Sequence, residues 1–206
     1  MNENIYRWIA VVIFLICTGI SIYFRRKADR IGGDRISVRV EGLPIMVSLR
    51  LTGLALWLGV FLYLINPSWM EWSQFEAPEW FRLTGVGLGF LVDLFAYWVF
   101  SHLGKNVTPT VITRSDHQLV VDGPYRLIRH PLYTMGFLAF LSFSMLAANW
   151  YVAGMAVVSF LILNIRVPLE EANLIKRFGA EYLAYMKRTG RYLPKIGRGN
   201  ETEGKA

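Results

Sequence analysis

A single cysteine, Cys17, occurs in 206 residues and lies inside an apolar run, so neither a disulfide nor a cysteine-based metal site can be built. Histidine is nearly as scarce. His102, His117 and His130 are scattered, and no spacing among them suits a metal ion. A Gly-Lys-Ser/Thr phosphate loop is missing, as is any arguable Ser, His and Asp triad. Charge is sparse: 18% of residues are charged against 54% hydrophobic, with a mean hydropathy of +0.36, which excludes an ordinary soluble domain and indicates a membrane protein. The net charge of +7 would suit nucleic acid, but 20 of the 22 Lys and Arg fall in 25–50, 101–129 and 166–205, each beside an apolar run. Cytoplasmic loops account for that distribution, and no nucleic-acid partner is expected.

What is present is a series of apolar runs. Residues 8–24 carry no charge and approach the roughly 20 residues that span a bilayer. A basic cluster follows (Arg25, Arg26, Lys27, Arg30) and no small-residue cleavage site appears, so a retained helix with its N-terminus outside is expected rather than a signal peptide. Segment 25–42, with its Gly32-Gly33-Asp34 turn signal, reads as a cytoplasmic loop, and 43–65 as a second span broken only by Arg50. Segment 66–80 holds three Glu, several Trp and no Lys or Arg, as an external loop with an interfacial aromatic belt would. A third span, 83–100, contains Gly85, Gly87 and Gly89 and an intramembrane Asp93, which is either functional or a structural partner of Arg50 or a tyrosine hydroxyl.

Segment 101–129 reads as a second cytoplasmic loop, marked by Thr108-Pro109-Thr110 and Asp122-Gly123-Pro124. The runs 131–148 and 150–165 are parted only by Asn149; one continuous rod would measure about 52 Å against a hydrocarbon core of about 30 Å, so a helical hairpin turning at Asn149 is expected. Such a hairpin returns Arg166, Glu170 and Glu171 to the membrane face that holds Arg129 and His130. A tail helix over 168–188 is expected to begin at Pro168 and to lie as an amphipathic element on the cytoplasmic side. Residues 197–206 have the composition of a disordered tail. The expected fold is thus all-α and integral to the membrane, with about five transmembrane helices, the N-terminus outside and the C-terminus cytoplasmic. Residues 1–100 would supply extra helices, and 101–196 a core made of loop 101–130, hairpin 131–165 and the tail helix.

Polar chemistry concentrates in Gly123-Pro124-Tyr125-Arg126-Leu127-Ile128-Arg129-His130-Pro131-Leu132-Tyr133. Pro131 suits the first turn of a helix, which puts His130 at an N-terminus where orphan N–H groups and the macrodipole favour an anion or polar cofactor. A juxtamembrane loop holding lipid phosphates is the plainer alternative. With Arg166, Glu170 and Glu171 the set offers complementary charge for a zwitterion: Arg for a carboxylate, Glu for an ammonium, Tyr faces for a sulfonium. An Arg166–Glu170 pair one helical turn apart would instead be merely structural.

The ordered series Gly123-Pro124-Tyr125-Arg126, Arg129-His130-Pro131-Leu132-Tyr133, Arg166-Val167-Pro168-Leu169-Glu170-Glu171 and Phe178-Gly179-Ala180-Glu181-Tyr182 resembles the isoprenylcysteine carboxyl methyltransferase family and its phospholipid methyltransferase relatives. The likeness covers roughly 103–195, from Leu103-Gly104-Lys105-Asn106 to Leu193-Pro194. It implies a multi-pass membrane enzyme with a cytoplasm-facing site that binds S-adenosyl-L-methionine and methylates a hydrophobic, prenylated or lipid acceptor reached among membrane lipids. Mapped by position, His130, Pro131, Leu132 and Tyr133 would contact the cofactor, as would Glu170. Arg166 would orient an acceptor carboxylate, and Leu138 and Phe143, Ser144, Met145 and Leu146 would give further cofactor contacts. Glu171 is the candidate base should the acceptor be an amine. The sequence departs from the family pattern in carrying Thr134 and Met135 before Gly136, and Pro168 between Arg166 and Glu170.

Carboxyl O-methylation of an isoprenylcysteine-type acceptor is the leading expectation. Three others stand beside it: a phospholipid amine N-methyltransferase, an NADPH-dependent enzyme like the membrane sterol reductases, which share an Arg-His-Pro-x-Tyr element, and a non-catalytic transporter or scaffold built around Asp93 and Arg50.

Overall fold

The computed structural model describes residues 2–30, 43–103 and 119–195. The expected turn at Gly32-Gly33-Asp34, the Thr108-Pro109-Thr110 cluster, His117 and the tail 197–206 lie outside the described residues. The protein is all-α. Its helices are α1 (Glu3–Arg30), α2 (Leu43–Ile65), α3 (Glu79–Leu103), α4 (Pro131–Ala147), α5 (Trp150–Phe178) and α6 (Ala180–Arg188), with short 3-10 turns at Pro67–Ser73 and Gly123–Arg126. Among the described residues there is no β-strand, only the isolated bridges Gln74–Asn149 and Ile128–Gly190.

Four helices, α1, α2, α3 and α5, are long and apolar enough to cross a membrane. Helix α4 is apolar but has 17 residues, about 26 Å at the usual rise. Leu54, Leu91, Leu94, Leu161 and Ile165 point outward at 59–69% exposure, a surface that suits hydrocarbon rather than water. Trp69, Trp72, Trp80 and Trp150 are exposed at the end of the bundle where α3 and α5 begin, as an interfacial belt requires.

Two expected boundaries are corrected. Helix α1 continues through Arg25, Arg26 and Lys27 to Arg30, because a basic last turn complements the helix dipole and extends the helix past the apolar run. Pro168 does not start a helix; it lies inside α5, which runs on to Phe178. An interior proline costs about 3 kcal/mol, but the turns on both sides are anchored by the buried Val167 and Glu171. The break comes instead at Gly179, whose φ of 55° favours glycine and lets α6 begin at a new angle.

Helices α3 and α4 pack antiparallel. A Cβ on Gly85 would meet the backbone N of Leu146 at 2.5 Å, while at the other ends Ala96 and Phe100 cluster with Leu132 and Met135. Helix α1 runs parallel to α3, since Glu3 meets Arg82 and Phe24 stacks on Phe100. Helix α2 returns along α1, with Tyr63 beside Glu3 and Trp57 against Phe14. Between α4 and α5 the chain reverses through Ala148, in the left-handed region at φ 47°, and Asn149, whose side chain caps α5 at Val152 N–H.

The end at which α3 begins is locked by a polar network. The Arg82 guanidinium donates to both oxygens of Glu3 at 2.7 and 2.8 Å and to the Leu146 carbonyl at 2.8 Å, and it lies over the Tyr6 ring. Tyr63 donates its hydroxyl to Glu3, and Asn149 donates to Ser73. These bonds join α1, α2, α3 and the α4–α5 turn.

Candidate functional site

The opposite end is built from two segments far apart in sequence. The Gly123–Arg126 turn sits against α3, where Gly123 (φ 56°) packs on the His102 ring with no space for a side chain. The chain then runs beside the segment that follows α6. Leu127 accepts from Gly190 N–H, Arg129 N–H donates to the Gly190 carbonyl, and His130 N–H donates to the Arg191 carbonyl, at 3.3, 2.9 and 3.0 Å. Gly190 is needed there because a Cβ would strike the Leu193 carbonyl. Thr134 donates to the Tyr192 carbonyl, and Tyr185 to the Tyr125 carbonyl. Residues 189–192 thus form a strap over the start of α4.

Glu171 ties the strap to α5. Its carboxylate, 3% exposed, accepts from Arg129 Nε at 2.8 Å on one oxygen and from Arg191 at 2.6 Å on the other, and His130 Nε2 lies 3.4 Å away. Arg129 Nη1 also donates to the carbonyls of Thr189 and Met186, so its buried charge is held by hydrogen bonds as well as by Glu171. The hydrogen bond to Glu171 holds the Arg191 guanidinium above its usual value. Burial pushes the Tyr185 hydroxyl up to about 12 and raises Tyr125 and Tyr182 as well, so all three stay neutral donors at physiological pH.

Glu170, one residue earlier, faces differently. Its Oε2 accepts from the Tyr133 hydroxyl at 2.7 Å, and its Oε1 lies 3.9 Å from His130 Nδ1. The His130 and Tyr133 rings stack at 5.4 Å with a 6° interplanar angle. His130 sits at the N-cap of α4, and Pro131 forms the first turn.

A cavity of about 880 Å³ opens beside these groups. His130, Pro131, Leu132, Tyr133, Phe143, Leu146, Arg166 and Glu170 all line it. Glu171, Leu138, Ser144 and Met145 do not: Ser144 is buried and donates to the Asn149 carbonyl, and Met145 packs towards Gly85. At its polar end the cavity holds Arg129, Arg166, Glu170 and the rings of Tyr182 and Tyr185. It continues between α1, α2, α3 and α4 past Phe14, Trp57, Phe61 and Phe140. One space therefore offers both a charged mouth and an apolar interior, the geometry required by a polar reactant and a greasy one held together. Among the described residues no three His, Cys, Asp or Glu side chains converge on a metal position.

Residues 85–176 match the model of the isoprenylcysteine carboxyl methyltransferase (ICMT) family. Over that stretch the chain is similar to this family. The matched segment starts within α3 and ends within α5, so it contains the His130–Tyr133 element and Glu170 but stops short of the strap. The chain is 31% identical over 133 residues to the protein-S-isoprenylcysteine O-methyltransferase of Dictyostelium discoideum, covering 62% of this chain and 56% of that protein. It is 29% identical over 140 residues to the human protein of the same name, covering 63% and 49%. A nickel-cobalt-cadmium resistance protein, NccN, of Alcaligenes xylosoxydans xylosoxydans is 28% identical over 83 residues, covering 40% and 39%. The chain spans about half the length of the isoprenylcysteine methyltransferases it matches.

Sequence reasoning did not single out Arg191, Thr189 and Tyr192. Their role follows from the strap's main-chain pairing with 127–130, for which Gly190 between two polar residues is the faint sequence signal. Arg50 is exposed on α2, so a pairing with the buried Asp93 is not made.

Proposed function

We propose that the chain is an integral-membrane methyltransferase that takes its methyl group from S-adenosyl-L-methionine and passes it to the carboxylate of an isoprenylcysteine-type lipid. The observation that carries this reading is the single cavity joining His130, Tyr133, Arg166 and Glu170 to an apolar interior. Helix α4 serves as a fifth span in this reading, the N-terminus lies outside, and the site faces the cytoplasm.

The residues present fit such a donor. Glu170 Oε1 lies 3.9 Å from His130 Nδ1, beyond hydrogen-bond distance, beside the stacked His130 and Tyr133 rings in the cavity wall. A zwitterion would suit this set, with its ammonium on Glu170 and its cationic sulfur against the stacked His130 and Tyr133 faces. When bound, the donor supplies an electrophilic methyl whose C–S bond breaks as the bond to the acceptor oxygen forms, the electron pair returning to sulfur. A carboxylate is already ionised at neutral pH, so no base is required, and alignment and exclusion of water do most of the work. Arg166 holds the acceptor carboxylate. Glu171, with both oxygens on guanidiniums, acts in this proposal as a positioning residue that fixes Arg129 and the strap, in place of the base role an amine acceptor would ask of it.

Purified protein incubated with methyl-labelled S-adenosyl-L-methionine, total membrane lipid and N-acetyl-S-farnesylcysteine should give label in the organic phase that alkali releases as methanol. Label in a base-stable headgroup would instead indicate an amine acceptor. No transfer, together with thermal stabilisation by NADPH and none by S-adenosylhomocysteine, would overturn the methyltransferase reading.

A further inference from the structure

Asp93 is 4% exposed in the middle of α3 and lines the cavity. Apart from the Cys17 thiol alongside it, a weak donor, neither carboxylate oxygen meets a hydrogen-bond donor among the described residues. The same cavity wall carries Ile13 and Phe14 from α1 and Met135 and Ala139 from α4, with the hydroxyls of Thr18 and Ser21 further along α1. Gly136, also in the wall, has open space where a side chain would be. A polar group left unsatisfied at such depth is costly, and the cost disappears when a ligand supplies the missing donor. Helical rise places Asp93 about 10 Å along α3 from Phe100, and Phe100 packs in one cluster with Leu132 beside the polar mouth.

From this geometry we infer that Asp93 is a specificity-determining residue that selects acceptors carrying a hydrogen-bond donor, a hydroxyl or amine, partway along their apolar chain. The inference rests on the methyltransferase reading and extends it by naming the acceptor class the site prefers: a lipid with a polar donor roughly 10 Å from the reacting head, bound more tightly than a plain hydrocarbon chain. Arg166 and Asp93 then act as two anchors, one for the head and one for the chain. Asp93 takes no part in the transfer itself.

Three lipids test the idea: N-acetyl-S-farnesylcysteine, an analogue with a mid-chain hydroxyl, and the matching methyl ether, which has similar bulk but cannot donate. Dissociation constants are measured by calorimetry on the full-length protein in detergent, with S-adenosylhomocysteine present. The hydroxyl analogue should bind about tenfold more tightly than the other two, the effect of one hydrogen bond to a charged group. The preference should vanish in Asp93→Leu and persist in part in Asp93→Asn, whose amide oxygen still accepts. Equal binding of all three lipids by the unaltered protein would overturn the inference without any variant, as would a preference undiminished in Asp93→Leu. Binding of S-adenosylhomocysteine but of none of the lipids would overturn the lipid-acceptor reading and this inference with it, whereas equal binding with normal methylation would leave that reading standing and remove only the role of Asp93.

Discussion

Replacing Arg166 with alanine should lower methyl transfer by at least about 100-fold while leaving the affinity for S-adenosylhomocysteine unchanged. The magnitude is what misplacing a reactant by about 1 Å costs. Arg166 stands in the cavity wall, one turn of α5 before Glu170, so both ends of the proposed reacting pair are set by one helix. The donor's contacts are expected from His130, Tyr133 and Glu170, none of which the substitution removes. The acceptor's carboxylate would lose its cation and wander. Arg166→Lys should recover only part of the rate, because an ammonium is a point charge without the planar fork that fixes a carboxylate. Turnover of N-acetyl-S-farnesylcysteine and calorimetry on the same preparations separate the two effects. Full activity in Arg166→Ala would remove it from the proposed mechanism.

The second large effect is on stability. Glu171→Ala should destabilise the protein by about 3–5 kcal/mol, the usual result of stripping one partner from a buried ion pair. Arg129, with its side chain 9% exposed, would keep its charge with only carbonyls around it, while Arg191, more exposed at 38%, would turn to solvent at little cost. The strap 189–192 would then lose its link to α5, and with it the main-chain bonds that position His130. Glu171→Gln keeps an acceptor for Arg129 and should lose less. Thermal unfolding in detergent, with limited proteolysis near Gly190, reads both consequences. An unchanged midpoint and an unchanged cleavage pattern would show that the strap is held by other means.

Much of this architecture could be read from residue order because a bilayer constrains it so tightly. Apolar length marked α2 and the core of α3 to within a few residues, and Pro131 fixed the start of α4 through its missing N–H. The boundaries that escaped were those decided by tertiary contact. Pro168 carries the local signal of a helix start, yet α5 passes through it because Val167 and Glu171 are buried on either side. The charged last turn of α1 carries the signal of a loop and misleads for the opposite reason: polarity alone does not end a helix whose dipole it complements. The motif residues His130, Tyr133, Arg166 and Glu170 come together at one cavity, whereas Ser144 and Met145 turn to other helices, a choice of helix face that spacing from a family pattern does not resolve. Arg191 was illegible for a further reason. Its partner Glu171 is reached only through the strap, whose pairing with 127–130 is made by main-chain atoms and leaves Gly190 as its one mark in the sequence.

In the proposed function, the start of α4 and the later turns of α5 clasp a methyl donor between them. Titration calorimetry of S-adenosylhomocysteine into the unaltered protein, His130→Ala and Glu170→Ala tests it most directly. Saturable one-to-one binding that is lost or weakened at least about tenfold in both variants is the predicted result; equal affinity in all three proteins would contradict it.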